Sequence, residues 1–153
     1  MDVKLINPFL QAFAEILPQI GFNTVEKAGL SLINDTLEYN GVLINISFVG
    51  PLKGVILTTM PINNAKQFAT KMTMGMEFAE FDAMAQSAVS EMTNMVCANA
   101  CTQFSQIGME GLDISPPTVL VSEKGIASLP VPQTIAVNLK ADEIKFNVYI
   151  AIV

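Results

Sequence analysis

The feature that most constrains this chain is a change of period. From Asn63 to Gly108 the apolar residues recur at helical spacing, and on both sides of that segment, over Thr24–Met60 and beyond Pro116-Pro117, they recur every second residue. Strands grouped in runs, with helices grouped between them, do not supply the crossovers of a parallel sheet. They point instead to an α+β fold, with helices packed on one side of an antiparallel sheet.

The blocks follow in order. Residues 2–20 read as an amphipathic helix carrying Leu5, Phe9, Phe13, Ile16, Leu17 and Ile20. Asn7-Pro8 suits its start, Gly21 its stop, and Pro18 bends or ends its last turn. From Thr24 to Met60 alternation takes over, clearest in Val42, Ile44, Ile46 and Phe48. Asn40-Gly41 and Pro51-Leu52-Lys53-Gly54 supply turn signals, so this block reads as a three-stranded antiparallel meander. A helix follows over Asn63–Met76, capped by Asn63 or Asn64, and a longer one over Asp82–Ile107, closed by Gly108. Beyond Pro116-Pro117 come a short strand over Thr118–Val121 and two alternating runs ending at Ile152, joined by a hairpin loop at Lys140-Ala141-Asp142-Glu143. No linker, low-complexity tract or internal repeat interrupts the 153 residues, which read as a single domain over 1–153. The last strand is long, apolar and terminal. Read as a sheet edge it needs a cover, which suggests a homodimer.

Composition removes most chemistries. The chain has no His, Arg or Trp, so His-based triads, His metal sites and Arg phosphate forks are excluded. Its net charge of −6, with 8 scattered lysines, argues against nucleic acid and anionic membranes, and admits a lysine-bearing partner. Half the residues are apolar, yet no stretch reaches the roughly 18 needed for membrane insertion. Met1-Asp2-Val3-Lys4 lacks the features of a leader, which suggests a cytoplasmic protein. Cys97 and Cys101, spaced i,i+4 on one helix, read as free thiols, and the nine methionines read as core filling rather than a copper or redox site.

Placed on a helical wheel, Glu91, Asn94, Ala98 and Ser105 fall within about 40° of Ser87. Phe81, Ala85, Met92, Val96, Asn99, Gln103 and Ile107 gather on the far side, with Val89 near, and form the expected buried face. Glu91 and Asn94 sit one turn apart and point away from it. A Glu and an Asn on a solvated helix face are common by chance, but two details set these apart. Their neighbours Ala83, Ser87, Ala98, Cys101 and Ser105 are all small, leaving a smooth surface that a partner can approach closely. Asn is also a poor mid-helix residue, so its place there costs stability. An amide can hold and aim a water; a carboxylate can dock a cation or act as a weak base. For phosphoryl transfer, positioning of this kind is most of what a protein must supply, and a partner could bring the metal.

Ser87-x-x-x-Glu91-x-x-Asn94, followed after 22 residues by Pro117, resembles the signature of the CheC/CheX/FliY phosphatases of bacterial chemotaxis. Asn7-Pro8-Phe9 and the order of elements look similar to the CheX branch, as does the single copy of the signature. The resemblance spans essentially the whole chain and implies a CheC/CheX-like fold. It implies dephosphorylation of a CheY-like response regulator carrying an aspartyl phosphate. Asn94 would then orient the hydrolytic water, and Glu91 would pair with the regulator's active-site lysine. No cofactor of the chain's own is implied; Mg²⁺ would arrive on the phosphorylated partner. Ser87 and Pro117 match the signature without an assigned chemical role. The alternative is a non-catalytic module that binds a response regulator through the same fold. A structural role like that of the flagellar switch proteins is a third reading.

Overall fold

The computed structural model describes residues 3–153; Met1 and Asp2, where the expected first helix and the segment read for a leader begin, lie outside the described residues. A 3-10 turn at Val3–Leu5 leads into α1 (Asn7–Gln19). Then come β1 (Val25–Ile33), β2 (Thr36–Val49), β3 (Gly54–Met60), α2 (Ile62–Met72), α3 (Ala83–Gln106), β4 (Asp113–Ile114), β5 (Thr118–Ser128), β6 (Thr134–Ala141) and β7 (Ile144–Ile152). The α+β architecture expected from the period change is present, with one antiparallel sheet and the helices against it.

The strand order β1-β6-β7-β3-β2, with β4 and β5 on the outer side of β2, corrects three local expectations. First, β1, β2 and β3 are not a meander. Only β2 and β3 form a hairpin, while β1 pairs with β6. Second, Asn40-Gly41 is not a turn. β2 runs through it, and its register against β5 shifts between Tyr39 and Gly41. Gly41 has φ +120, and a Cβ there would meet the Met60 carbonyl and Pro61, so glycine marks a close approach within a strand. Third, β7 is not an edge. It lies between β3 and β6 and pairs with both, so its apolar character reflects burial in the sheet's middle. The edge argument for a homodimer therefore does not apply to this strand.

Helix ends follow residue chemistry. Gly21 (φ +112) and Gly108 (φ +90) close α1 and α3 alike: Phe22 N–H reaches Leu17 O, and Met109 N–H reaches Phe104 O. α1 accommodates Pro18 in its last turn and continues to Gln19. α2 begins one residue earlier than expected, after Pro61, with no side-chain cap; Asn64 instead donates to Lys145 O at 2.7 Å and ties α2 to β7. It also stops at Met72, so Met76 lies beyond it.

The core fills the space between the helices and one sheet face. Phe9 of α1 packs on Phe48 of β2 and Phe104 of α3, with ring centroids 5.5 and 5.2 Å apart. Phe146 of β7 meets Phe13 and Phe68 in the same layer. The methionines divide: Met60 and Met92 are buried, whereas Met74, Met76 and Met84 are exposed and do not fill the core. On the opposite sheet face, Leu37, Leu43 and Leu57 form a smaller cluster with Tyr39, Leu129 and Tyr149.

Candidate functional site

α3 carries the candidate residues and is anchored at its start. The Asp82 carboxylate accepts from Ala85 N–H at 2.9 Å, an N-cap bond, and Gln86 Nε2 donates to Phe81 O at 3.1 Å. The helix then runs 24 residues with Glu91 as its single charged side chain. Its buried face includes Ala85, Val89, Met92, Val96 and Gln103, as the wheel predicts, and extends further to Thr93, Cys97, Ala100 and Phe104. Burial is wider because α3 contacts α1 and α2 as well as the sheet. Ile107, expected inside, is exposed at the helix end, and Phe81 and Asn99 are half-buried.

The outer face of α3 forms one side of an open groove of about 680 Å³. From the helix come Ala83, Gln86, Ser87, Ser90, Glu91 and Asn94. The facing wall is Ile114, Ser115, Pro116, Pro117 and Val119, the junction of β4 and β5. Ser87, Glu91, Asn94 and Pro117, matched to one signature in sequence, are thus brought to one place. Sequence reasoning missed Gln86, Ser90 and Ser115, and the apolar residues Ile114 and Val119. The Pro116-Pro117 pair was the available signal of a broken strand; β4 is too short to show a period.

Glu91 is exposed and Asn94 is half-buried. Neither side chain makes a hydrogen bond or ion pair with another described residue. Both therefore present their full hydrogen-bonding capacity to the groove. Among the described residues Glu91 is the only charge lining it, so the groove favours a cation from outside. One carboxylate does not make a divalent-metal cage, and among the described residues no three His, Cys, Asp or Glu side chains converge.

Both cysteines are free. Burial, then the neighbouring Cys101, pushes the Cys97 thiol up to about 12. Burial and Asp113 also raise Cys101, whose own backbone partly offsets them. Neither thiol is activated as a nucleophile.

Comparison with known proteins gives a consistent result. The family model described as "Chemotaxis phosphatase CheX" matches residues 42–138. The chain is 25% identical over 121 residues to the CheY-P phosphatase CheX of Thermotoga maritima, covering 78% of this chain and 77% of that one. A CheC-like superfamily protein from Shewanella sp. PV-4 superposes with a TM-score of 0.87 at 25% identity, covering 100% of this chain and 99% of that one. CheX in the CheX–CheY–BeF3–Mg²⁺ complex of Borrelia burgdorferi superposes with a TM-score of 0.75 at 25% identity, covering 96% of each.

Proposed function

The chain belongs to the CheX chemotaxis phosphatase family, and from that premise we propose that it dephosphorylates an aspartyl-phosphorylated, CheY-like response regulator. The observation that carries this reading is the pair Glu91 and Asn94, both without a partner among the described residues, on the face of a 24-residue helix that opens into a groove. A site of this size and openness suits the surface of another protein better than an enclosed small molecule.

In the proposed complex the regulator presents its phosphoaspartate and Mg²⁺ to the groove. The Asn94 amide holds a water in line with the phosphorus. Water oxygen bonds to phosphorus as the bond to the aspartate oxygen breaks. The electron pair returns to the carboxylate, and the water's protons leave on phosphate or to solvent. Glu91 pairs with a regulator lysine and fixes the register of the two proteins. Mg²⁺ bound on the regulator would supply neutralisation of the phosphoryl group's charge. Because its proposed substrate is a signalling protein of the cell interior, we place the protein in the cytoplasm.

Self-association is a separate proposal. Leu30 and Leu32 on β1 and Leu120 and Ile126 on β5 are exposed on the two outer strands, and apolar edges of this kind favour pairing of two copies. Light scattering across a concentration series reads it directly.

Phosphate release from a phosphorylated CheY-like regulator, with wild-type protein against Asn94→Ala, tests the catalytic reading. We expect loss of the stimulated rate in the variant. Equal stimulation by both proteins refutes the role of Asn94. Binding of the regulator by wild type without any acceleration favours the non-catalytic module.

A further inference from the structure

The groove wall opposite Asn94 is a strand interrupted by one extra residue. Phe48 of β2 faces Ile114, and Asn45 faces Thr118. Ile46 and Ser47 therefore lie opposite Ser115, Pro116 and Pro117, a β-bulge joining β4 to β5. Neither proline has an N–H to donate to β2. Ser115 supplies what remains. Its N–H donates to Ser47 O at 2.8 Å, and its hydroxyl accepts from Ser47 N–H at 2.9 Å. In a regular antiparallel pair a backbone carbonyl would take that second bond. The same hydroxyl donates to Pro116 O at 3.2 Å, so one side chain holds β2 on one side and the first proline on the other.

We infer that Ser115 is a positioning residue: its hydroxyl locks the bulge that sets Pro116 and Pro117 as the groove wall facing Glu91 and Asn94. The inference rests on the proposed phosphatase reading, because the wall matters only if a partner is gripped between it and α3. Without the hydroxyl, the Ser47 amide loses its partner, and the Pro116-Pro117 segment is free to shift relative to β2. Asn94 stays fixed on its helix. The partner is then held loosely against a correctly placed amide.

The test compares wild type, Ser115→Ala, Ser115→Thr and Asn94→Ala in steady-state phosphate release from the phosphorylated regulator. Misplacement of reacting groups by small distances costs roughly ten- to a hundredfold in rate. We expect Ser115→Ala to lose that much in kcat/KM while its melting curve stays close to wild type. Ser115→Thr, which keeps the hydroxyl, should recover most of the loss. Hydrogen exchange at the Ser47 amide should quicken in the Ala variant alone. If Ser115→Ala matches wild type while Asn94→Ala is inactive, the positioning role is wrong and the phosphatase reading stands. The positioning role is equally wrong if the Ala variant's loss merely tracks unfolding. If wild type itself gives no acceleration, the phosphatase reading fails and this inference falls with it.

Discussion

Asn94 and Pro117, 22 intervening residues apart in sequence, line a single groove from its two sides. The connection explains how. α3 ends at Gln106, the positive φ of Gly108 reverses the chain, and the return path reaches the outer side of β2 as β4. The bulge at Ser115–Pro117 then lines the groove across from the helix. A motif spread over sequence becomes local because one helix and one strand junction both border the same space.

That relationship makes the Asn94 amide hard to replace. Asn94→Asp preserves size and one acceptor but removes the donor and adds a negative charge beside an incoming phosphoryl group. We expect the stimulated hydrolysis to fall by roughly a hundredfold or more, about the loss seen when a single positioned group is removed from a transition state. The folding midpoint should hardly change, since Asn94 makes no hydrogen bond with another described residue. Retained activity in the Asp variant would mean that an acceptor alone suffices.

Glu91 has a different signature because its proposed role is docking. Glu91→Gln should raise KM for the phosphorylated regulator with a smaller change in kcat. An interfacial charge contact of this kind is worth roughly 1–3 kcal/mol, or about five- to 150-fold in affinity. Added salt should weaken wild-type binding more than binding by the Gln variant. Glu91→Lys should bind more weakly still. Identical salt dependence in wild type and Glu91→Gln would remove the ion pair from the mechanism.

How far the sequence discloses the molecule depends on which interactions decide each element. α3 was legible end to end, because Asp82 and Gly108 act locally and the apolar face repeats along the helix itself. The Glu91–Asn94 face followed from the same geometry. Strand pairing was less legible. Nothing in the alternation of β1 says that its neighbour is β6, more than a hundred residues away, rather than β2. Asn40-Gly41 looked like a hairpin turn because the same glycine conformation serves a turn and a bulge. Only the nearby Met60–Pro61 backbone distinguishes them. The exposed methionines at 74, 76 and 84 followed from α2 stopping at Met72 and from α3 turning Met84 outward, neither of which hydrophobicity alone reveals.

Gly41 gives a stability test of the bulge reading. Gly41→Ala forces a Cβ toward the Met60 carbonyl at a backbone conformation of φ +120. Strain of this type costs on the order of 1–3 kcal/mol, and the close backbone approach adds to it. Urea denaturation should show a lower midpoint with an unchanged slope. A midpoint equal to wild type would mean that β2 shifts freely at this position.

Phe68 tests the core that carries α2. It is fully buried, with ring centroids 5.2 Å from both Phe22 and Phe146. Phe68→Ala should cost about 3–5 kcal/mol, the range for emptying an aromatic site in a packed core. Phosphate release measured well below the variant's melting temperature should fall far less than in Asn94→Ala, because α3 has its own cap and its own packing on α1.

Acid should act through the β6–β7 hairpin. Asp142 holds φ 52 in its turn, and its Oδ1 accepts from Thr24 N–H at 2.9 Å, Asn23 N–H at 3.0 Å and Thr24 Oγ1 at 3.3 Å. Led by the Thr24 amide, these bonds hold its carboxyl below the ordinary value of 3.8. A depressed carboxyl contributes stability that is present above its unfolded value and is lost as pH falls through the folded one. Asn at 142 keeps an acceptor and tolerates the same backbone conformation but carries no charge. Wild type should therefore melt higher than Asp142→Asn at neutral pH, and the gap should close as pH drops below 3.8. A gap that stays constant through the acid range would show that the carboxylate charge adds nothing to these three bonds.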